Sequence, residues 1–310
     1  MSTHRNIVLG DGGIETALEE RLEQSLPEFA AFVTLDTASG RDALREYYRP
    51  FLEFAAEHSV PMMLDTATWR ANPDWISLVD GAPSDADRLN GVNTDAVALL
   101  REYVTRVAPE AEIMINGVVG PRFDEYESAQ RMTADEAMAY HAPQVQALAD
   151  AGVDRVTSVT TLDAAEGLGV VRAALAAAIP VVVSFTVGAD GLLADGSSLA
   201  EAIAAVDTET DGAALGFAVN CAHPDEVLRG IEPDAAQTSR IIGVRLNAAR
   251  DGDEGPGDAP GVFAARTAEL AKSLPEVSVI GGCCGTDTPH IEALADAFSG
   301  TQQDSFRLEP

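Results

Sequence analysis

The sequence predicts a single (β/α)8 TIM barrel over residues 1–298, followed by a polar tail over 299–310. Three observations point there. Eight short apolar runs recur along the chain, amphipathic helical stretches separate them, and no linker or break in composition divides the 310 residues. One such barrel commonly takes ~250 residues or more, and a 46% apolar composition supplies a large core.

The strand-like runs are Asn6–Gly10, Met62–Thr66, Ile113–Val118, Arg155–Val159, Val181–Thr186, Leu215–Asn220, Ile241–Leu246 and Val277–Gly281. Most are short and rich in β-branched residues, as strands covered on both faces should be. Helical periodicity fills the intervals, over Asp42–His58, Ala86–Val107, Ala134–Ala151, Ala164–Ala178, Leu199–Ala205 and Gly261–Leu274. Strands alternating with helices imply parallel βα units rather than a sandwich. No Gly-x-Gly-x-x-Gly follows the first strand, which removes support for a dinucleotide fold. The Asp-, Gly- and Pro-rich segment Ala249–Pro260 reads as a mobile loop after the seventh strand.

Fifty acidic residues against twenty basic ones give a formal net charge of −30, and Lys272 is the single lysine. The acids are scattered over helix faces and loops rather than gathered in one block. That pattern suits a surface solvated in high salt, where ions screen the self-repulsion, so a halophilic protein is expected. Nucleic acid is excluded as a partner, because neutralising phosphates requires clustered cations. No apolar run of ~18 residues suggests a membrane span, and the first residues lack an apolar signal core. A cytoplasmic location is expected; the oligomeric state is not legible.

In a barrel of this type the C-terminal ends of the strands carry the chemistry. Those ends hold Asp11, Asp65 to Trp69, Asn116, Thr160, Thr186, Asn220, Cys221, Asn247, Cys283 and Cys284. All three cysteines of the chain therefore fall on one rim, after the sixth and eighth strands. Adjacent cysteines flanked by glycines have little packing value, although small buried hydrophobes are the alternative. Three thiolates suit tetrahedral zinc, with the fourth position left for a ligand. His223 lies two residues after Cys221, and a structural role, or one supporting the ligands from behind, is the favoured reading because Pro224 begins a new turn.

Gly281-Gly282-Cys283-Cys284-Gly285, followed by Thr286, resembles the glycine-glycine-cysteine-cysteine-glycine signature of the homocysteine S-methyltransferase family. Val219-Asn220-Cys221 resembles its other zinc-ligand motif, and Asp11-Gly12-Gly13-Ile14-Glu15-Thr16 its N-terminal motif. Ser184-Phe185-Thr186 with Asp195-Gly196 fits the segment around the fifth strand. The resemblance runs in order from about residue 7 to about residue 298. It implies Zn2+ on Cys221, Cys283 and Cys284, a small-molecule thiol acceptor, and a methyl donor that is a sulfonium or a betaine. It implies Asp11 as a contact for the amino group of homocysteine; an Asx turn or helix cap is the alternative. Asn220 is the second substrate-binding candidate, chiefly by orienting the loop that presents Cys221. Trp69 is a candidate for cation–π attraction to the donor, or for packing the rim.

One position departs from the family. Where its members commonly carry Glu-Thr after the fourth strand, this chain has Val159-Thr160, and an apolar side chain accepts no hydrogen bond from an ammonium. The alternative to a homocysteine methyltransferase is thus a zinc- or thiol-binding barrel of the same family with another acceptor or lost catalysis. A zinc hydrolase fits less well, since three thiolates make the metal electron-rich and poorly suited to activating water.

Overall fold

A computed structural model describes residues 7–123, 130–233, 235–253 and 255–299. Eight strands form a closed, wholly parallel barrel in chain order. They are β1 (Val8–Gly10), β2 (Met62–Asp65), β3 (Ile113–Val119), β4 (Arg155–Thr161), β5 (Val181–Phe185), β6 (Gly216–Asn220), β7 (Ile241–Leu246) and β8 (Val279–Gly282). The ring closes where β1 pairs with β8, Val8 opposite Val279 and Leu9 opposite Ile280.

Around it lie α1 (Ile14–Leu22), α2 (Ala38–His58), α3 (Pro73–Asp80), α4 (Ala86–Val107) and α5 (Ala134–Asp150). They continue with α6 (Ala164–Ala176), α7 (Leu199–Thr210), α8 (Pro224–Gly230), α9 (Pro260–Ala271) and α10 (Thr288–Ser299). Several helix starts are written into the sequence as reciprocal caps. Thr133 with Glu136 opens α5, Ser198 with Glu201 opens α7, and His223 with Glu226 opens α8. Each pair satisfies backbone N–H groups that the first turn leaves without partners.

The main core lies between barrel and helices, where Leu64, Ile115, Val156, Val183, Val219, Val244 and Ile280 pack against apolar helix faces. The strands were expected to be apolar on both sides, and here the structure differs. Alternate residues pointing into the barrel include Asp65, Asn116, Arg155, Thr157, Ser184, Asn220 and Arg245. Period-two geometry sends these to the lumen and their neighbours to the core.

Other departures are local. β4 runs two residues beyond Val159, because its pairing with β5 shifts between Ser158 and Thr161 while Thr160 adopts a left-handed φ of +59°. Such a bulge bends the strand and re-aims its side chains. α1, α3, α8 and α10 add to the helical stretches named from periodicity, and α7 continues five residues past Ala205. The loop over 249–260 was expected to be mobile, but several of its residues are anchored. Asp258 N–H donates to Ala248 O at 2.7 Å, and the Asp258 carboxylate meets His223 and Arg266. Asn6 and residues 300–310 of the expected tail lie outside the described residues; Ser299 ends α10. Among the described residues, no helix is long and apolar enough to cross a membrane.

Candidate metal centre and substrate pocket

The three cysteines converge at the C-terminal mouth. Cys221 Sγ lies 3.3 Å from Cys283 Sγ and 3.8 Å from Cys284 Sγ, and all three sulfurs fall within 4.8 Å of one another. Zinc bound at ~2.3 Å to tetrahedral thiolates spaces its sulfurs by about 3.8 Å. The donor set and spacing therefore fit zinc, with a fourth face toward the pocket.

Backbone geometry fixes each sulfur. Cys221 follows β6 with φ +56°, in the left-handed region that non-glycine residues enter uncommonly. Its N–H donates to Arg245 O, while Cys283 N–H donates to Leu246 O at 2.8 Å. Cys284 N–H donates to the Asn247 side chain, and the Thr286 hydroxyl donates to Cys283 O at 2.7 Å. Hydrogen bonds from Cys221 and Cys284 pull the Cys283 thiol well below its ordinary range, against burial. Cys221 is driven up, first by its hydrogen bond to Cys283.

The N-terminal motif and the double-cysteine loop are one packed unit. A Cβ on Gly12 would stand 2.6 Å from Thr286 O, and one on Gly13 would stand 2.6 Å from Cys283 O. These glycines let the β1 turn lie directly against the backbone that carries the sulfurs.

Beneath the sulfurs is a buried charge cluster. Arg245 donates to the carboxylates of both Asp11 and Asp65, and its Nε donates to Gly282 O. Asn116 donates to Asp65 Oδ1 at 2.7 Å, and Asp65 N–H donates to Asp11 Oδ2. Burial pushes the Asp11 carboxyl up to about 7, with Arg245 opposing the shift. Burial works against the charge on Arg245 too, but Asp65 and Asp11 outweigh it and hold it protonated.

A cleft of about 610 Å³, open solvent at its mouth included, lies over this assembly. The three cysteines, Gly12, Gly13, Glu15, Phe29, Asp65, Trp69, Val159, Asn220 and Arg245 all contribute to its wall. Asn220 is there as expected, fully engaged: its Oδ1 accepts from Thr160 N–H and the Ser184 hydroxyl, and its Nδ2 donates to the Thr160 hydroxyl. It ties β4, β5 and β6 together just ahead of Cys221. Asp11 is wholly buried and faces Arg245, and its neighbours Gly12 and Gly13 line the cleft. Trp69 reaches the wall, with the Arg70 guanidinium 4.0 Å from its ring centroid and Phe29 edge-on at 6.4 Å. Phe29 sits at the lip in a left-handed conformation, φ +56°.

His223 is no ligand. Its Nδ1 accepts from Asp225 N–H and its Nε2 meets Asp258 at 3.0 Å, so both ring nitrogens are occupied away from the sulfurs.

Sequence reasoning missed Arg245 and Glu15. Arg245 sits inside β7, not at its end, and the signal for it was a charge in the middle of an otherwise apolar strand. Glu15 was read only as part of a motif.

The family model for homocysteine S-methyltransferase matches residues 8–298. A homocysteine S-methyltransferase of Escherichia coli (strain K12) is 27% identical over 310 residues, covering 94% of each chain. Among solved structures, the homocysteine methyltransferase MmuM of Escherichia coli superposes with a TM-score of 0.75 in its metallated form and 0.77 in its oxidized form. The identities are 22% and 21%, and both comparisons cover 94% of this chain and 96% of that one. These two establish a shared fold.

Proposed function

The chain belongs to the homocysteine S-methyltransferase family, zinc-dependent methyltransferases with a thiol acceptor, and from that premise we propose that it methylates homocysteine to methionine at the three-cysteine centre. The observation that carries this reading is the convergence of Cys221, Cys283 and Cys284 within 4.8 Å on the wall of the cleft at the barrel mouth.

Cys221, Cys283 and Cys284 would hold the zinc. When bound, the metal lowers the pKa of the acceptor thiol, so that its thiolate exists at neutral pH. The protein's own groups do the rest. Asn220 and Asn247 fix the two loops that present the sulfurs. The Arg245 cluster makes a rigid, charged floor, and Asp11 acts from behind it by holding Arg245 and the β1 turn in place. Phe29 and Trp69 shield one side of the cleft from water and present aromatic surface to a methylated cation. A thiolate facing a positively charged donor in line loses its charge on transfer: the new S–CH3 bond takes the sulfur lone pair, and the bond pair to the donor leaves with the neutral leaving group. The donor is a small sulfonium or betaine, which carries that leaving group itself.

A second reading rests on Val159, which lies on the cleft wall and offers no acceptor to an ammonium. On that reading the acceptor is a different thiol, or the barrel only binds one. A screen of methyl donors against thiol acceptors, with zinc-loaded protein in molar salt, separates the two. Methionine formed from homocysteine supports the first; turnover confined to thiols without an amino group, or none at all, supports the second.

We also propose a cytoplasmic, salt-adapted protein. Its support is the charge of −30 spread without clustering, and arginine standing in for nearly all lysine.

A further inference from the structure

We propose that Glu15 receives the α-ammonium of the thiol acceptor and so sets the enzyme's preference for an amino-acid thiol. The inference rests on the thiol-acceptor reading above and names the group that selects the substrate.

Glu15 stands in the first turn of α1, two residues beyond Gly13, whose α-carbon packs against the Cys283 carbonyl. Its side chain reaches the same cleft wall as the three cysteines. Its Oε1 is buried and has no hydrogen-bond partner among the described residues. The other two carboxylates at the centre are spoken for. Asp11 has both oxygens on Arg245 and the Asp65 backbone, and Asp65 has its oxygens on Arg245 and Asn116. Glu15 thus lines the cleft with a carboxyl group whose buried Oε1 finds no donor among the described residues.

Leaving a buried acceptor unmade is costly, so such an oxygen marks the place of a ligand group that donates. Charge narrows the class. Arg245 is taken up by Asp11 and Asp65, which leaves it no charge to spare for Glu15, so the missing group is a cation. Chemistry narrows it again. A sulfonium or a quaternary betaine has no N–H or O–H to give, whereas a primary ammonium has three. The donor's cation is therefore better served by Phe29 and Trp69, and the acceptor's ammonium by Glu15. A γ-thiol amino acid with its sulfur at the cysteine cluster carries its nitrogen only a few bonds away, within the cleft that Glu15 also lines. Glu15 also supplies to this cleft a carboxyl group that Val159 does not.

The test uses Glu15→Gln, which keeps shape and removes charge, with Glu15→Asp as the conservative variant. Binding of homocysteine and of its deaminated analogue, 4-mercaptobutanoate, is titrated calorimetrically on zinc-loaded protein. KM, kcat and zinc content are measured beside it. Glu15→Gln is expected to weaken homocysteine binding and raise its KM about 10- to 150-fold. The analogue's affinity, the zinc content and kcat at saturation should stay near wild type, and Glu15→Asp should recover part of the loss. Equal weakening of both thiols, or of neither, overturns the proposal. A wild type that binds both thiols equally overturns it too, while leaving thiol methylation intact. Conversely, a wild type that binds homocysteine but methylates no thiol refutes the activity, and the Glu15 titration still reads on its own. Failure of the wild type to bind homocysteine overturns both.

Discussion

Gly13→Ala tests whether the β1 turn sets the geometry of the metal centre. Gly13 has φ −80° and ψ 102°, a conformation open to alanine, so the substitution adds no backbone strain of its own. Its new Cβ would stand 2.6 Å from Cys283 O and 3.0 Å from Cys283 C, against an optimum of ~3.5–4.0 Å for carbon contacts. The Thr16 hydroxyl, at 2.7 Å, can rotate away; the Cys283 backbone has no such freedom, since its N–H is fixed to Leu246 O and its carbonyl to Thr286. Relief requires the two loops to part by several tenths of an ångström. Metal–ligand distances tolerate only about ±0.2 Å. Overpacking of this kind costs about 1–3 kcal/mol in stability, and a disturbed supporting shell typically lowers metal affinity ~10- to 100-fold. Thermal unfolding and a zinc competition titration with a chromogenic chelator measure the two effects. Gly91→Ala is the control: it lies in mid-helix α4 with nothing within 4 Å of the added Cβ, and is expected to stabilise by about 0.5–1 kcal/mol with zinc affinity unchanged. Wild-type stability and zinc affinity in Gly13→Ala would refute the packing argument.

Arg245→Met removes the cation shared by Asp11 and Asp65 and leaves two carboxyls buried without it, so a loss of about 3–5 kcal/mol is expected by urea unfolding. Asp11 already binds its proton more tightly in the folded chain, at about 7 against an ordinary 3.8. Its contribution is therefore most favourable below about pH 4 and declines as pH rises toward 7. Losing Arg245 extends that decline upward, so the deficit in the variant should grow from pH 4 to pH 7; a deficit that shrinks with pH contradicts the assignment. Melting temperature should rise steadily from dilute buffer to molar chloride, because a net charge of −30 repels itself when the Debye length is ~10 Å or longer. A flat or falling melting curve removes the salt-adapted reading.

The barrel was legible because its repeat is coarse: a β-branched run, a polar turn and an amphipathic helix, eight times over. The metal centre was legible because cysteine is scarce here, and all three copies fall at strand ends. What stayed hidden depends on contacts between distant segments. The Asp11-Gly12-Gly13 turn is a ligand motif, a cap or a spacer with equal ease until Gly13 is seen against Cys283. Asp11 was expected at the ligand, and nothing in the sequence signalled that its carboxylate also pairs with Arg245, 234 positions later in the chain. Arg245 itself escaped notice because a rule about strand ends overlooks a residue one place earlier. The bulge that carries β4 past Val159 rests on the left-handed Thr160, and no residue type there announces it. Helices α1 and α3 are nine and eight residues long, too short to show a clear period.

The central claim, a zinc site made by Cys221, Cys283 and Cys284, is tested most directly by metal stoichiometry. Reduced wild-type protein should carry about one zinc per chain. Cys221→Ser, Cys283→Ser and Cys284→Ser, each shown to be folded by circular dichroism, should lose most of it, because a serine hydroxyl is a poor zinc ligand at neutral pH. Full zinc occupancy in folded Cys283→Ser and Cys284→Ser would contradict the account.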